Sequence, residues 1–182
     1  MSKVLIPLAP GCEELEAVTV IDILRRAGID VMTAGLQAGS VRCSRGTVLV
    51  PDAALDDVLS RNFDMIVLPG GMPGAEYLKN DARIAALLKR MAAQGQYVAA
   101  ICAAPMALHA AGLLEGKTAT SYPGVLDELS GTHTYSQKAV VMDGNIVTSR
   151  GPGTAMDFAL QLVELLCGKP ERIEVEAGLQ RT

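Results

Sequence analysis

The sequence YVAAICAAP, at residues 97–105, is the most informative stretch of this chain. Its first five residues form a short, continuous apolar run, which is typical of a strand buried on both faces. Cys102 follows this run, and its neighbours on both sides are small or aliphatic. A side chain on a sharp turn between a strand and a helix needs small neighbours, so we predict a nucleophile-elbow cysteine at residue 102. A helix is predicted from 105 to 111.

Two other apolar runs also end in glycine-containing turns. Residues 3–8 lead into Pro10-Gly11, and residues 64–68 lead into Pro69-Gly70-Gly71. Helical periodicity is found at residues 13–27, 82–94 and 154–167. Buried strands that alternate with helices predict an α/β fold, with a mostly parallel sheet covered on both faces. The turns after the strands should then share the rim where such sheets bind ligands.

Shorter elements complete the predicted secondary structure. We expect a strand at residues 30–35, a short helix at 52–60 and a weak strand at 117–121. Residues 41–50 and 140–149 each have the pattern of a hairpin. The second hairpin is the clearer one, because an Asp-Gly pair separates its two apolar runs.

The composition fits one globular domain over residues 1–182. Hydrophobic residues make up 49% of the chain and charged residues 20%, and no linker or repeat divides it. With no Trp, four Tyr and two Phe, the core must be aliphatic and base-stacking surfaces are scarce. The formal net charge is −4 and no basic block is present, which argues against a stable nucleic-acid partner.

No segment of the sequence predicts contact with a membrane. The apolar runs fall short of the roughly 18–20 residues that are needed to cross a bilayer. The N-terminal segment lacks the longer apolar core of a signal peptide. A cytoplasmic protein with reduced thiols is therefore expected.

Four cysteines, at positions 12, 43, 102 and 167, are distributed without a C-x-x-C pair. This spacing offers no zinc site and no thioredoxin-type motif, and no metal is expected. Cys102 differs from the others because its predicted place before a helix favours the thiolate, through the helix dipole and free N–H groups. The alternative is a buried structural cysteine, since cysteine is among the most buried residue types.

Glu16 lies on the apolar face of its predicted helix. The residues that share this face at helical spacing are Val20, Ile23, Leu24 and Ala27. A carboxyl on that face should be desolvated, which raises its pKa and keeps it protonated near neutral pH. The alternative is that the three acids at the start of the helix, Glu16 included, merely suit the helix dipole.

The Gly70-Gly71 turn follows a predicted buried strand. N–H groups of the turn could form an oxyanion site beside Cys102, although an ordinary tight turn is the alternative.

The two histidines are candidates for a proton acceptor. A cysteine hydrolase needs a histidine that accepts the thiol proton. His109 lies about two turns along the helix that follows Cys102 and cannot easily reach it. His133 has the pattern of a solvated loop residue.

Five motifs together resemble the DJ-1/ThiJ branch of the DJ-1/PfpI superfamily. They are AAICAAP at 99–105, LPGG at 68–71, CEELE at 12–16, CSR at 43–45 and TSRGPGT at 148–154. The motifs occur in the family's order and with matching gaps over nearly the whole chain, and as a set they are highly specific. The resemblance implies a flavodoxin-like, doubly wound sandwich.

The resemblance also implies roles for individual residues. The nucleophile would be Cys102, and its partner carboxyl would be Glu16. Substrate or oxyanion binding would fall to the backbone of Gly70, Gly71 and Ala103. The protein would be a homodimer, with an interface that includes Arg26, Arg45, Gly151 and Pro152.

Two positions depart from patterns found within the family. Ala103 follows Cys102 where the protease-like branch has a histidine, which argues against a cysteine peptidase. Tyr122 precedes Pro123 where another branch has a histidine, so no histidine matches that position. A mechanism that needs a histidine proton shuttle is therefore not expected, while one that Glu16 runs alone remains open.

The resemblance implies two classes of function. One is a glyoxalase that converts methylglyoxal to lactate without glutathione, with deglycase activity on early glyoxal and methylglyoxal adducts of proteins and nucleotides. In that reaction Cys102 would form a hemithioacetal, Glu16 would move the proton, and no metal or organic cofactor would be needed. The other is an oxidative-stress sensor or redox chaperone that uses a Cys102 sulfinate without turnover. A link to thiamine biosynthesis finds no support, because the sequence contains no Walker-type loop.

Overall fold

A seven-stranded sheet passes through the centre of the protein. The computed structural model describes residues 1–181. The strands are β1 (Lys3–Leu8), β2 (Asp30–Gly35), β3 (Val41–Arg42), β4 (Val48–Leu49), β5 (Ala53–Ala54), β6 (Met65–Leu68), β7 (Tyr97–Ile101), β8 (Thr118–Ala119), β9 (Thr134–Tyr135), β10 (Val140–Asp143) and β11 (Ile146–Ser149). The helices are α1 (Glu14–Arg26), α2 (Gly74–Asn80), α3 (Ala82–Ala93), α4 (Pro105–Ala110), α5 (Ala155–Cys167) and α6 (Lys169–Gly178). Short 3-10 turns lie at Leu55–Asp57, Leu126–Glu128 and Pro152–Thr154.

The strand order of the sheet is β10-β11-β7-β6-β1-β2-β5. Each of these pairings is parallel except that of β10 with β11. Without the two-residue edge strand β5, the parallel strands follow the order 2-1-3-4-5, which is that of flavodoxin. The predicted α/β, flavodoxin-like architecture is therefore confirmed, and the turns after β1, β6 and β7 share one rim as predicted.

The two faces of the sheet bury separate apolar clusters. On one face, α1 and α5 pack against the sheet through side chains such as Val20 and Phe158, which join Ile6 of β1. On the other face, Leu88 of α3 belongs to the cluster that contains the same strand's Leu5. Adjacent residues of a strand point to opposite faces, so one buried strand supplies both clusters. The continuous apolar runs of the sequence reflect this two-sided burial.

Two segments differ from the predicted secondary structure. The predicted short helix at residues 52–60 is reduced to the 3-10 turn Leu55–Asp57, because the Asp52 carboxylate accepts hydrogen bonds from the backbone N–H and hydroxyl of Thr33 at 2.9 and 2.7 Å. These bonds hold the chain extended beside β2, and β5 follows. The sequence also does not predict α2, since this helix begins at Pro73-Gly74, a pair that is typical of turns.

The other predicted elements are present. The first hairpin pairs β3 with β4, and the second pairs β10 with β11. Gly144 has a φ of +64° in the second hairpin, which is the conformation that its tight turn requires. The weak strand near residue 118 is β8, which pairs with β9. Among residues 1–181, no helix combines the length and apolar character that a membrane crossing requires.

Candidate active site

Cys102 lies in a sharp turn between the end of β7 and the start of α4. Its φ of +64° is in the left-handed region that residues other than glycine rarely adopt. Two backbone hydrogen bonds hold it there: its N–H donates to the Ser149 carbonyl at 2.9 Å, and its carbonyl accepts from the Tyr122 N–H at 2.8 Å. The surrounding structure, rather than local preference, therefore fixes the position of the thiol.

Glu16 is fully buried on the inner face of α1. Its Oε2 accepts a 2.8 Å hydrogen bond from the Gly70 N–H. Its Oε1 has no hydrogen-bond partner of ordinary geometry among residues 1–181. Burial raises the pKa of Glu16 to about 7, against the lowering effect of its interactions with Cys102 and Gly70. This is the direction that the helical periodicity predicts.

Cys102 and Glu16 change each other's protonation. Burial, and next the charge of the Glu16 carboxylate, raise the pKa of Cys102 to about 12, whereas the N–H groups of Gly71 and Ala103 lower it. The sequence predicts a thiolate favoured by the following helix, but α4 has only six residues and burial opposes ionisation. The charge of Glu16 is absent when Glu16 itself is protonated, and the thiolate then becomes more favourable. The two groups therefore titrate together as an acid–base pair, in which ionisation of one makes ionisation of the other less favourable.

The backbone donors near the thiol differ in part from those predicted. The Gly70 N–H binds Glu16 Oε2, so it positions the carboxyl instead of a substrate oxygen. The N–H groups of Gly71 and Ala103 interact with the Cys102 sulfur, where they could stabilise the oxygen of an adduct. The sequence cannot distinguish two adjacent glycines, because the direction of each N–H depends on backbone angles that the fold imposes, such as the φ of +87° at Gly71.

Gly70 allows Cys102 and Glu16 to lie close together. A Cβ atom at residue 70 would lie 2.7 Å from Cys102 Cβ, 2.8 Å from Glu16 Oε2 and 2.9 Å from the carbonyl oxygen of Ile101. Gly70→Ala should therefore separate Cys102 from Glu16 and destabilise the fold by about 1–3 kcal/mol, as overpacking does. Thermal unfolding and the rate of Cys102 alkylation by iodoacetamide check this expectation: Tm should fall and the alkylation rate should change.

Gly178→Ala is the matched control for this substitution. A Cβ atom at residue 178 would meet nothing within 4 Å, and the backbone there is not left-handed. The control should keep the wild-type Tm or raise it slightly, because alanine favours a helix over glycine. A Gly70→Ala protein with the Tm and alkylation rate of the control would contradict the close approach described here.

Cys102 opens into a cavity of about 570 Å³. The cavity is also lined by Glu13, Ser44, Arg45, Gly71, Met72, Ala103, Met106, Tyr122, Gly124, Val125 and Pro152. Arg45 and Pro152, two of the four residues predicted at a dimer interface, thus belong to the wall around the thiol. A cavity of about 560 Å³ beside Tyr77 and Arg83 is lined by neither cysteine nor histidine. Volume alone therefore does not identify the site.

The two other predicted interface residues lie outside this wall. Arg26, at the end of α1, is half exposed and pairs with Asp22 at 2.6 Å. Gly151 packs against the ring of Tyr122, since a Cβ atom at residue 151 would lie 3.3 Å from that ring. Gly151 therefore shapes the cavity indirectly, through Tyr122, whereas Arg26 forms part of the surface of α1.

Glu13 and Glu14 have separate roles that the sequence does not predict. The Glu13 carboxylate caps α1 by accepting a 2.8 Å hydrogen bond from the Glu16 N–H, and it lines the cavity. Glu14 accepts hydrogen bonds from two backbone N–H groups of the 44–47 loop, at 3.0 and 3.2 Å. Although burial opposes ionisation, backbone N–H donors lower the pKa of Glu14 to about 2. The preference of acids for helix caps could have indicated Glu13, but no local signal indicates the loop that Glu14 binds.

The two histidines contact each other instead of the thiol. Their ring centroids are 5.2 Å apart at an interplanar angle of 78°. His133 is half-buried, with Nε2 3.0 Å from the Leu126 carbonyl, which corrects the prediction of a solvated residue. Neither histidine lines the Cys102 cavity, so the contact that a Cys–His hydrolase needs is not made. Within residues 1–181, His, Cys, Asp and Glu side chains form no group of three that could hold a metal ion.

Comparison with known proteins places this site in a family. The model of the DJ-1/PfpI family matches residues 2–165. The chain belongs to the DJ-1/PfpI family. It is 47% identical to protein dj-1beta of Drosophila melanogaster, over 98% of this chain and 97% of that protein. It is 41% identical to a Caenorhabditis elegans protein named glutathione-independent glyoxalase DJR-1.2, over 92% of this chain and 90% of that protein.

A solved structure of the family has the same fold. The crystal structure of Drosophila melanogaster DJ-1beta is similar to this protein with a TM-score of 0.96 and 45% sequence identity, and the match covers 100% of both chains. The predicted family resemblance is therefore confirmed together with the predicted α/β fold.

Proposed function

We propose that this DJ-1/PfpI protein is a cysteine-dependent glyoxalase that uses no glutathione and acts on methylglyoxal and glyoxal. The observation that carries the proposal is the meeting of Cys102 and Glu16 at Gly70, beside a cavity that Gly71 and Ala103 also line. The Caenorhabditis elegans relative, which is named a glutathione-independent glyoxalase, supports it. A nucleophile, an acid–base group and an oxyanion site are the parts that this reaction requires.

In the first step, the Cys102 thiolate adds to the aldehyde carbon and forms a hemithioacetal. The new C–S bond leaves the aldehyde oxygen as an alkoxide, and the N–H groups of Gly71 and Ala103 stabilise its charge. The proton held by Glu16 passes to this oxygen, which leaves Glu16 as a carboxylate. Burial makes that carboxylate a stronger base than one in water, because its pKa is raised to about 7.

In the second step, the Glu16 carboxylate removes the hydrogen of the hemithioacetal carbon as a proton and gives an enediolate, whose charge lies on the former ketone oxygen. Glu16 then delivers this proton to the neighbouring carbon, which had been the ketone carbon of methylglyoxal, and the proton of the hemithioacetal hydroxyl passes to the former ketone oxygen. The product is a lactate thioester on Cys102, and water hydrolyses it to lactate and the free thiol. The overall reaction converts one methylglyoxal and one water into one lactate, so no external oxidant or reductant is consumed.

The proposal extends to early adducts of the same aldehydes on amino and thiol groups of proteins and nucleotides. Cys102 would take the two-carbon or three-carbon unit from such an adduct and release the original amine or thiol. Met72 and Tyr122 on the cavity wall are 50% and 52% exposed, so the attached group can remain outside the cavity. Glu16 and water would then complete the reaction as for the free aldehyde.

The test is incubation of the purified protein with methylglyoxal in the absence of glutathione. We expect catalytic disappearance of the aldehyde, with one lactate formed for each methylglyoxal consumed. Loss of the aldehyde without lactate, in an amount that matches the protein thiols, would show trapping instead of turnover and would refute the proposal. Glycated peptide and nucleotide substrates, assayed for release of the free amine, test the deglycase extension separately.

One observation favours a second function at the same site. Cys102 is 8% exposed and opens on a cavity, so a small peroxide can reach it. Two successive oxygen transfers from hydrogen peroxide would give a sulfinate and two molecules of water. A protonated Glu16 could donate a hydrogen bond to that sulfinate, as a redox sensor or redox chaperone would need. Absence of lactate in the assay above, together with peroxide-dependent sulfinate on Cys102, would favour this function.

We also propose that the protein is a homodimer. Light scattering at micromolar concentration is expected to give about twice the chain mass of 19.1 kDa. Val18 of α1 and Val50 after β4 line one surface groove, and their side chains are 45% and 81% exposed. Asp22 lines the same groove and pairs at 2.6 Å with Arg26, a predicted interface residue, so we place the groove at the interface. Replacing both valines by aspartate should give the monomer mass, because two charges would lose their hydration in an apolar interface.

Met142→Asp is the control for this dimer prediction. Met142 is 53% exposed and lies on β10, at the opposite edge of the sheet from β5. The control should retain the mass of the dimer. A wild-type protein that scatters as a monomer, or a dimer that survives both aspartates, would contradict the proposed interface.

A further inference from the structure

Cys12 and Cys43 form a buried thiol pair that the proposed reaction does not use. Their Sγ atoms are 3.6 Å apart, and the two residues are 0% and 4% exposed. They lie 31 positions apart in the chain, one after β1 and the other after β3. A third thiol, Cys167, is exposed at the end of α5. The chain therefore offers one preformed cysteine pair and a separate cysteine for comparison.

Backbone hydrogen bonds on both sides keep the two sulfurs in contact. The Gly11 N–H donates to the Arg42 carbonyl, and the Ser44 N–H donates to the Cys12 carbonyl, both at 2.8 Å. The two segments thus lie side by side, at the separation of paired strands. A disulfide needs a sulfur–sulfur distance of about 2.05 Å, so the sulfurs must approach by roughly 1.5 Å. Small side-chain rotations can supply this movement without a change in the backbone pairing.

We propose that Cys12 and Cys43 are a modification site, at which oxidation forms an internal disulfide. With a hydroperoxide as oxidant, one thiol gives a sulfenic acid and one water, or the corresponding alcohol. The second thiol then attacks the sulfenic sulfur, forms the S–S bond and releases a second water. Two hydrogen atoms leave the protein in total. Thiol reductants reverse this step, whereas a sulfinate on Cys102 is not reversed by them.

The disulfide would fix part of the wall around Cys102. Glu13 follows Cys12 directly, and Ser44 and Arg45 follow Cys43, and all three residues line the Cys102 cavity. Burial raises the pKa of both Cys12 and Cys43 and limits access of an oxidant to their sulfurs, so the pair should react slowly. The site is therefore suited to sustained oxidation. The inference does not depend on the reaction that Cys102 performs.

The test uses the full chain with Cys102→Ser, so that oxidation at residue 102 cannot interfere. After treatment with hydrogen peroxide, iodoacetamide is added in denaturant and unreduced peptides are analysed by mass spectrometry. We expect a Cys12–Cys43 linked peptide that has lost two hydrogen atoms, alkylated Cys167, and full reversal by dithiothreitol. Tm should rise by roughly 5–10 °C on oxidation, because the bond closes a long loop in the unfolded chain.

Two variants in the same background complete the test. Cys43→Ala should abolish both the linked peptide and the rise in Tm, whereas Cys167→Ala should retain both. The linked peptide itself is detected in the Cys102→Ser protein, in which residues 12 and 43 are unchanged. This result therefore stands even if Cys43→Ala does not fold. Free Cys12 and Cys43 after prolonged oxidation, or links that join Cys167 as often as this pair, would overturn the proposal.

Discussion

Cys102→Ser is expected to lower methylglyoxal turnover by at least about a thousandfold while the protein remains folded. The substitution replaces one sulfur by oxygen at a position held by two backbone hydrogen bonds, so the geometry of the turn should persist. A serine hydroxyl is far less acidic than a thiol, and no histidine lines the cavity to accept its proton. Lactate formation at several methylglyoxal concentrations gives kcat/KM, and thermal unfolding verifies the fold.

Cys167→Ser is the matched control for this loss. Cys167 is exposed at the end of α5 and does not line the Cys102 cavity. Its substitution should leave kcat/KM within about twofold of the wild-type value. If Cys102→Ser retained a tenth or more of the activity, the nucleophile would be another group, and the proposed mechanism would fail.

The local features of this fold and site could be predicted from the sequence. The apolar run before Cys102, with small residues after it, predicts a strand, a turn and a helix, and the structure has β7, the turn and α4 in that order. The helical spacing of Glu16 with Val20 and Ile23 predicts a carboxyl on a buried face, and Glu16 is fully buried. Both inferences depend on a period along one element, which local sequence carries directly.

Features that depend on contacts between distant segments could not be predicted. The Gly70 N–H binds Glu16 across two elements, so the sequence leaves open which glycine faces a substrate. Asp52 binds Thr33 and keeps its own segment extended where local pattern predicts a helix. The contact between Cys12 and Cys43 arises because two loops pair beside the rim of the sheet. In each case tertiary hydrogen bonds decide between local alternatives of similar energy.

Glu16→Gln and Glu16→Leu should each lower methylglyoxal turnover by about a hundredfold or more, because neither side chain can carry the proton. The two variants separate proton transfer from thiolate stabilisation. Glutamine keeps an N–H donor that can stabilise the Cys102 thiolate, whereas leucine provides no hydrogen-bond donor to this buried thiolate. The pKa of Cys102, followed by ultraviolet absorbance of the thiolate against pH, should therefore be lower in Glu16→Gln than in Glu16→Leu.

The stability of Glu16→Gln should also differ from that of the wild type in a pH-dependent way. Folding raises the pKa of Glu16 from 4.5 to about 7, so the folded state binds this proton more tightly than the unfolded chain does. The wild type therefore loses stability as the pH rises from 4.5 through 7, by up to about 3 kcal/mol, and glutamine has no such loss. Urea unfolding at pH 5 and pH 8 should show Glu16→Gln gaining stability relative to the wild type. If the stability of the two proteins changed with pH in parallel, Glu16 would already be ionised in the folded protein. If Glu16→Gln turned over methylglyoxal at the wild-type rate, the proton would be carried by Glu13, Tyr122 or water.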